Sequence, residues 1–379
     1  MNKVIYMDYA ATTFIKKEVL EEIYPFLTEE YANASSTYSF ATKSKMAVDS
    51  SRKKIADAIN GYRDEIYFTA GGSESDNWAI IGTAFANRDK GNHIITSKIE
   101  HHAILNSCKY LEAKGFKVTY LDVDSKGLIN LEQLKNSITR DTILVSIMYA
   151  NNEVGTIQPI QLIGELCREK NILFHTDAVQ AVGNISIDVK SYNIDLLSMA
   201  AHKFYGPKGM GALYIKKGTK IDSYIHGGAQ ERGKRAGTTN VAGIVGMGKA
   251  IEIAIVNLET EYERLSKLRD KLIQGLLKIE ASILNGAVGN ARLPGNCNIS
   301  FENIEGDMLL AMLDTFGICA SSGSACSAGN LEPSHVLVAM GLSKERAKAS
   351  LRLTIGSRTN EEDILYVIEK VKDTVSKLK

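Results

Sequence analysis

At 379 residues the chain can bury a large core, and on the usual scale of roughly 150 residues per domain it reads as two domains. A hydrophobic share of 44% and a charged share of 23% are those of an ordinary globular protein and exclude a fibrous or disordered one. The 45 Lys and Arg nearly cancel the 44 Asp and Glu, so no net field draws the protein to nucleic acid or to an anionic membrane, and a small-molecule substrate is expected.

The first 13 residues carry Asp8 where a secretory signal needs an apolar run, and no later stretch approaches about 18 uncharged apolar residues. The expected location is the cytoplasm. Cys108, Cys167, Cys297, Cys319 and Cys326 are scattered without a Cys-x-x-Cys pair, which argues against a disulfide framework or a zinc ribbon. The question becomes which thiol is reactive.

From about residue 45 the sequence alternates helical patterns with short apolar runs bounded by Gly, Asn or Asp. That alternation predicts an α/β fold with a mostly parallel sheet covered by helices. Runs at 65–70, 93–98, 117–123, 142–150, 172–178, 194–201 and 211–215 supply seven strands of one large domain, taken as residues 13–255. A periodic segment from Val241 to about Ile279 reads as one extended or broken helix leaving that domain. A strand at 298–302, a helix at 307–316, a Ser/Gly-rich stretch at 320–330 and a last helix from Glu361 describe a smaller α+β domain, residues 1–12 with 256–379.

Lys203 follows the apolar run at 194–201 and precedes a glycine-rich turn. A lysine at the carboxyl end of a sheet strand points into the crevice where α/β proteins bind ligands, and partial desolvation there makes it nucleophilic. By itself a solvated surface lysine is the commoner case. Asp177 ends the run at 172–178; a carboxylate held against a pyridine nitrogen keeps it protonated and turns the ring into an electron sink. Read alone, a strand-end Asp is more often a turn former. In Phe68-Thr-Ala-Gly-Gly-Ser-Glu-Ser-Asp a strand runs into a helix that starts near Ser73. Ser73 with Asp76 three residues on reads as a capping pair, and helix-start amides bind phosphate, although an ordinary capped helix fits as well.

Two other patterns carry no weight. Gly228-Ala-Gln-Glu-Arg-Gly-Lys-Arg approaches a P-loop but has Arg235 where magnesium needs Ser or Thr, and Gly206-Pro-Lys-Gly-Met-Gly lacks the helix of a dinucleotide fold. His101-His102 lacks metal-ligand spacing, so no intrinsic metal is expected.

Taken together, these residues resemble the class V aminotransferase-like cysteine desulfurases of the NifS and IscS type, from Asp8-Tyr-Ala-Ala-Thr-Thr to Arg352. The motifs that carry the likeness are Thr96-Ser-Lys-Ile-Glu-His-His, Asn151-Asn-Glu-Val-Gly, His175-Thr-Asp-Ala-Val-Gln, His202-Lys, Arg235-Ala-Gly-Thr and Ser321-Ser-Gly-Ser-Ala-Cys-Ser. The resemblance implies pyridoxal 5′-phosphate as cofactor, joined to Lys203 as a Schiff base, with Asp177 on the pyridine nitrogen, His101 stacked on the ring and Gln180 on the phenolic oxygen. It implies a phosphate cup of Gly72, Ser73, His202 and, from the second subunit of a homodimer, Thr238, with Asn152 and Ala200 also counted among the cofactor-binding residues. Asn152 and Arg352 would hold the carboxylate of L-cysteine, for which the planar Arg fork is suited.

Cys326 lies among small residues without apolar periodicity, which suits a thiolate that attacks the sulfur of bound cysteine and then delivers the persulfide elsewhere. His101 would manage protons near neutral pH. The implied acceptor is an iron-sulfur scaffold or a sulfur carrier, and Cys326 could ligate a cluster only if it were shared with such a partner. The other four cysteines read as packed small hydrophobes. Ala200, Gly72 and Ala34 depart from the family pattern, which commonly has Ser, Ala and Pro there. A lost hydroxyl removes roughly 1 kcal/mol, too little to abolish cofactor binding. An aminotransferase would need no thiol at Cys326, a selenocysteine lyase would use nearly the same site, and a non-catalytic assembly protein would have no use for Lys203, Asp177, His101 and Cys326 together.

Overall fold

The computed structural model describes residues 3–322 and 332–379. Its strands are β1 (Ile5–Tyr6), β2 (Ile66–Thr69), β3 (His93–Ser97), β4 (Lys117–Leu121), β5 (Thr142–Ser146), β6 (Leu173–Asp177), β7 (Leu196–Ala200), β8 (Gly211–Ile215), β9 (Ile283–Leu284), β10 (Asn296–Ser300), β11 (Ile318–Cys319) and β12 (Ser350–Thr354). Seven of them form one sheet in the order β2-β8-β7-β6-β5-β3-β4. Only β8 runs against its neighbours in that sheet; the other pairs are parallel. The mostly parallel sheet expected from the sequence is present, with each strand inside the apolar run that foretold it.

In six of the seven strands both faces are covered, so neither parity of side chain meets water; the edge strand β4 is only partly buried, with Lys117 exposed. On one face Val19 and Ile23 of helix Lys17–Thr28, Val48 and Ile55 of helix Thr42–Ala58, and Met247 and Ile251 of helix Val241–Val256 pack against Phe174, Leu197 and Met199. On the other face Trp78 joins Ile104, Cys108 and Leu111 of helix His102–Glu112 over Ile94, Leu144 and Leu196.

The segment expected as one extended or broken helix is two, Val241–Val256 and Leu258–Leu276, bent by 71°. Asn257 between them leaves the helical region (φ −101°, ψ 7°). The bend serves two cores: Ile251 belongs to the large one, whereas Leu265, Leu272 and Leu276 join Ile364, Val367 and Val371 of helix Glu361–Leu378 over the sheet β12-β10-β9. Ile5 and Met7 belong to that second cluster as well. Past Met7 the chain crosses to the large sheet, where the Thr13 amide donates to the His202 carbonyl at 3.0 Å. Among the described residues no single helix is long and apolar enough to cross a membrane.

Candidate active site

The carboxyl ends of β6 and β7 lie side by side, and each ends in a residue the sequence singled out. Asp177 closes β6, its Oδ1 accepting the Val179 amide at 2.9 Å. β7 ends at Ala200, and the short turn Ala201–Lys203 brings Lys203 over the same edge. Lys203 Nζ donates to the carbonyls of Ala10 and Ala11 at 2.5 and 2.8 Å, and Gln180 Nε2 donates to the Ala10 carbonyl at 3.0 Å. A cavity of about 210 Å³ opens here, bordered by Asp177, Gln180, Ala200, His202 and Lys203 from the strand ends. This is the crevice where open α/β sheets bind ligands.

His101 enters from the end of β3 as the N-cap of helix His102–Glu112. Its Nδ1 accepts the Ala103 amide at 3.2 Å, which places the proton of the neutral ring on Nε2. Burial holds the imidazole below its ordinary value of 6.5; nearby Asp177 opposes this and Lys203 adds to it. Burial pushes the Asp177 carboxyl up, and His101 and Lys203 pull it back. His202 is driven down to about 4 by burial, with Lys203 and Lys208 contributing. Near neutral pH both imidazoles are uncharged.

Gly72 and Ser73 close the opposite side of the cavity. Ser73 is not the cap the sequence suggested. The N-cap of helix Gly72–Asn77 is Gly71, at φ 153°, and it makes no side-chain cap. The first-turn amides are thereby offered to an anion. Nor does Asp76 reach back as a capping partner: it is fully buried, lines the cavity and lies 3.9 Å from His175 Nε2. Asp76 is the cavity carboxylate that sequence reasoning assigned to another task, because the packing of its helix on β7 aims it inward. Burial raises it well above the carboxylate range, reinforced by Asp177. Beneath it His175 bridges Ser146 and Ser198 at 2.8 and 3.0 Å and is pushed down to about 3 by burial, so it is a neutral structural strut.

Asn152 also lines the cavity. Arg352, on β12, does not, although its Nη1 reaches the Asn152 carbonyl at 3.4 Å and its Nη2 donates to Asp8 Oδ1 at 2.8 Å. Asp8 had no role assigned from the sequence beyond opening a motif. Thr238 is exposed and outside the lining; its loop is fastened to the phosphate-side helix by a bidentate pair between Arg235 and Glu74 at 2.8 and 3.0 Å. Cys326 lies outside the described residues. Cys108, Cys167 and Cys297 are buried, and burial pushes Cys108 and Cys297 up to about 12. Cys319 is half-buried and also raised by burial.

The cavity fits pyridoxal phosphate on its donor set. It offers a carboxylate for a ring nitrogen, an amine for an aldehyde, an amide for a phenolic oxygen, and an uncapped helix start for a phosphate. Its contour is tight as well: a Cβ on Gly72 would stand 2.7 Å from Val179 Cγ2 and 3.6 Å from Ala200 Cβ. The departures at positions 72 and 200 thus lie next to one another, with Val179 occupying the space.

A family model described as Aminotransferase class-V matches residues 5–367. The chain is 61% identical over 371 residues to a protein named cysteine desulfurase IscS from Clostridium botulinum strain Hall, spanning 97% of this chain and 94% of that one. A solved structure described as a NifS-like protein superposes with a TM-score of 0.93 at 39% identity, over 99% of this chain and 100% of that one. Another, described as SspA in complex with cysteine, gives a TM-score of 0.82 at 39% identity over 92% and 98% of the two chains.

Proposed function

Since the chain belongs to the class-V aminotransferase family, we propose that it is a pyridoxal-phosphate-dependent cysteine desulfurase that moves the sulfur of L-cysteine onto Cys326 and releases L-alanine. The observation that carries this reading is the meeting of Lys203, Asp177 and His101 at one cavity on the strand ends. When bound, the cofactor supplies the electron sink for the pair released at the substrate Cα. Every other task falls to the chain's own groups.

Asp177, already held by the Val179 amide at 2.9 Å, would stand ionised against the ring nitrogen and keep it protonated. Asn152 and Arg352 receive the substrate carboxylate. Lys203 Nζ takes the Cα proton, and His101, neutral with its proton on Nε2, exchanges protons with the substrate. The Cys326 thiolate attacks the substrate sulfur; the Cβ–S bond breaks with its electron pair left on carbon, an S–S bond forms at Cys326, a proton replaces sulfur on Cβ, and a proton returns to Cα, which gives alanine. The persulfide then passes to a protein acceptor, an iron-sulfur scaffold or a sulfur carrier.

The functional unit is a homodimer. Leu20, Tyr24 and Leu27 leave an apolar stripe exposed on helix Lys17–Thr28, with Tyr31, Phe40 and Met46 also exposed, and a second copy would cover it. A dimer also gives exposed Thr238 a cavity to serve, that of the other subunit. The two main cores support the division into residues 13–255 and residues 1–12 with 256–379, and a smaller cluster of Ile99, Met148 and Val154 with Val336, Leu337 and Met340 joins the two.

The test is alanine and sulfide production from L-cysteine by the purified yellow protein, with a reductant present, beside its Cys326→Ser variant. Matched alanine and sulfide from the wild type alone are expected. Sustained sulfide release by the variant would remove Cys326 from the mechanism, and no alanine from either protein would point to another amino acid.

A further inference from the structure

Arg352 is buried, yet its hydrogen bonds are uneven. Nη2 is held by Asp8 Oδ1 at 2.8 Å, Nη1 reaches only the Asn152 carbonyl at 3.4 Å, and the buried Nε has no hydrogen-bond partner among the described residues. A buried donor without a partner is unfavourable and calls for an explanation. A guanidinium with one edge fixed by a carboxylate and another unclaimed is a fork set to take a second carboxylate.

Asp8 is itself immobilised. Its Oδ2 accepts the Ser321 hydroxyl at 3.3 Å, and its backbone pairs with Thr354, two residues from Arg352 on β12. Two and three residues further along, the Ala10 and Ala11 carbonyls accept Lys203 Nζ. The short segment from Asp8 to Ala11 therefore touches both groups that an α-amino acid addresses, the lysine that meets its amine and the arginine that meets its carboxylate. It fixes their separation.

We infer that Asp8 is a positioning residue for the substrate carboxylate: it holds one edge of the Arg352 fork, sets the plane of the guanidinium and leaves the Nε side to the amino acid. This rests on the reading of Arg352 as the carboxylate receptor. The negative charge of Asp8 also repels an incoming carboxylate, so removing it has two opposed effects. Orientation prevails, because an unheld guanidinium would turn its donors to the carbonyls around it, whereas two carboxylates on one five-donor fork are each met by charge-assisted bonds.

The experiment titrates the holoenzyme with L-alanine and with ethylamine, which has the amine but no carboxylate, and reads the cofactor absorbance. In Asp8→Asn the affinity for L-alanine should fall about tenfold, the scale of one hydrogen bond to a charged group, with ethylamine unchanged and KM for L-cysteine rising more than kcat falls. Equal weakening of both ligands would mean a general structural lesion, and unchanged or tighter L-alanine binding would mean that Asp8 only competes; either overturns the inference. If Asp8→Asn does not accumulate as folded protein, Asp8→Glu keeps the charge and moves the carboxylate, and the same selective loss is expected. Arg352→Lys separates the premise: unchanged L-alanine affinity there refutes Arg352 as receptor, whatever Asp8 does.

Discussion

Replacing Gly72 by alanine tests whether the cofactor cavity is as tight as its contour indicates. The added Cβ would lie 2.7 Å from Val179 Cγ2, against about 3.5–4.0 Å for carbon atoms at rest. Two effects oppose each other. Alanine in place of glycine in a helix gains roughly 0.5–1 kcal/mol, whereas inserting a methyl into packed surroundings costs roughly 1–3 kcal/mol. Val179 is β-branched and stiff at χ1, so it cannot turn aside without leaving its preferred rotamer, and Ala200 Cβ at 3.6 Å bars the other side. The clash prevails by about 0.5–2 kcal/mol, and because residues 72 and 179 both line the cavity, cofactor affinity should fall about two- to thirtyfold. Val179→Ala removes the offending methyl, so the double variant should recover most of the loss, with a favourable coupling of about 1 kcal/mol. The assay is absorbance titration of the apoenzyme with pyridoxal phosphate for the four proteins of the cycle. Wild-type affinity in Gly72→Ala, or strict additivity in the double variant, would refute the reasoning.

Two further outcomes follow from the buried titratable groups. Glu100 is fully buried and pushed up to about 8 by burial, with Asp177 adding and the Ser97 hydroxyl and Met148 amide offsetting part of it. Its folded value exceeds its unfolded value of 4.5, so its contribution to stability is complete below that pH and is lost as pH rises through about 8. Denaturant unfolding of the apoenzyme across that range should show stability falling with pH, less steeply in Glu100→Gln; an unaltered slope in the variant would rule Glu100 out. Among the thiols, Cys108, Cys167 and Cys297 are buried and held protonated by desolvation. Brief treatment of the native protein with iodoacetamide at neutral pH should therefore label Cys326 ahead of all three, as read by peptide mass spectrometry, and prior labelling of any of them would contradict the burial described.

How far the sequence could be read depended on whether a feature is local. Most of the seven strands were readable because strands buried on both faces are written as apolar runs, and β8 was found on the same basis although it runs the other way; the half-exposed edge strand β4 was readable from its β-branched and aromatic residues between Gly115 and Asp122 instead. The two-residue strands β1, β9 and β11 are too short to be read by themselves, β1 even though it lies in the apolar run 4–7; they exist because distant segments pass alongside them, as Ile5 does beside Ile318. The break at Asn257 was only half readable, since both flanking stretches are helical by period and what separates them is which core each one covers. The site followed the same rule. Lys203 and Asp177 were found because a charged residue at the end of an apolar run is a local sign, and the cavity gathers them with His101, Asn152 and Gln180. Asp76 was misassigned because Ser-x-x-Asp spacing is also a local sign, of a cap, and only the packing of its helix on β7 shows that its carboxylate faces the other way. Asp8 and Arg352 lie 344 residues apart along the chain and 2.8 Å apart in space. An arginine on a short strand and an aspartate near the amino terminus each have many ordinary explanations. Their pairing has meaning only because the segment that carries Asp8 goes on to supply the carbonyls on which Lys203 rests, which ties the two ends of one substrate to one stretch of backbone.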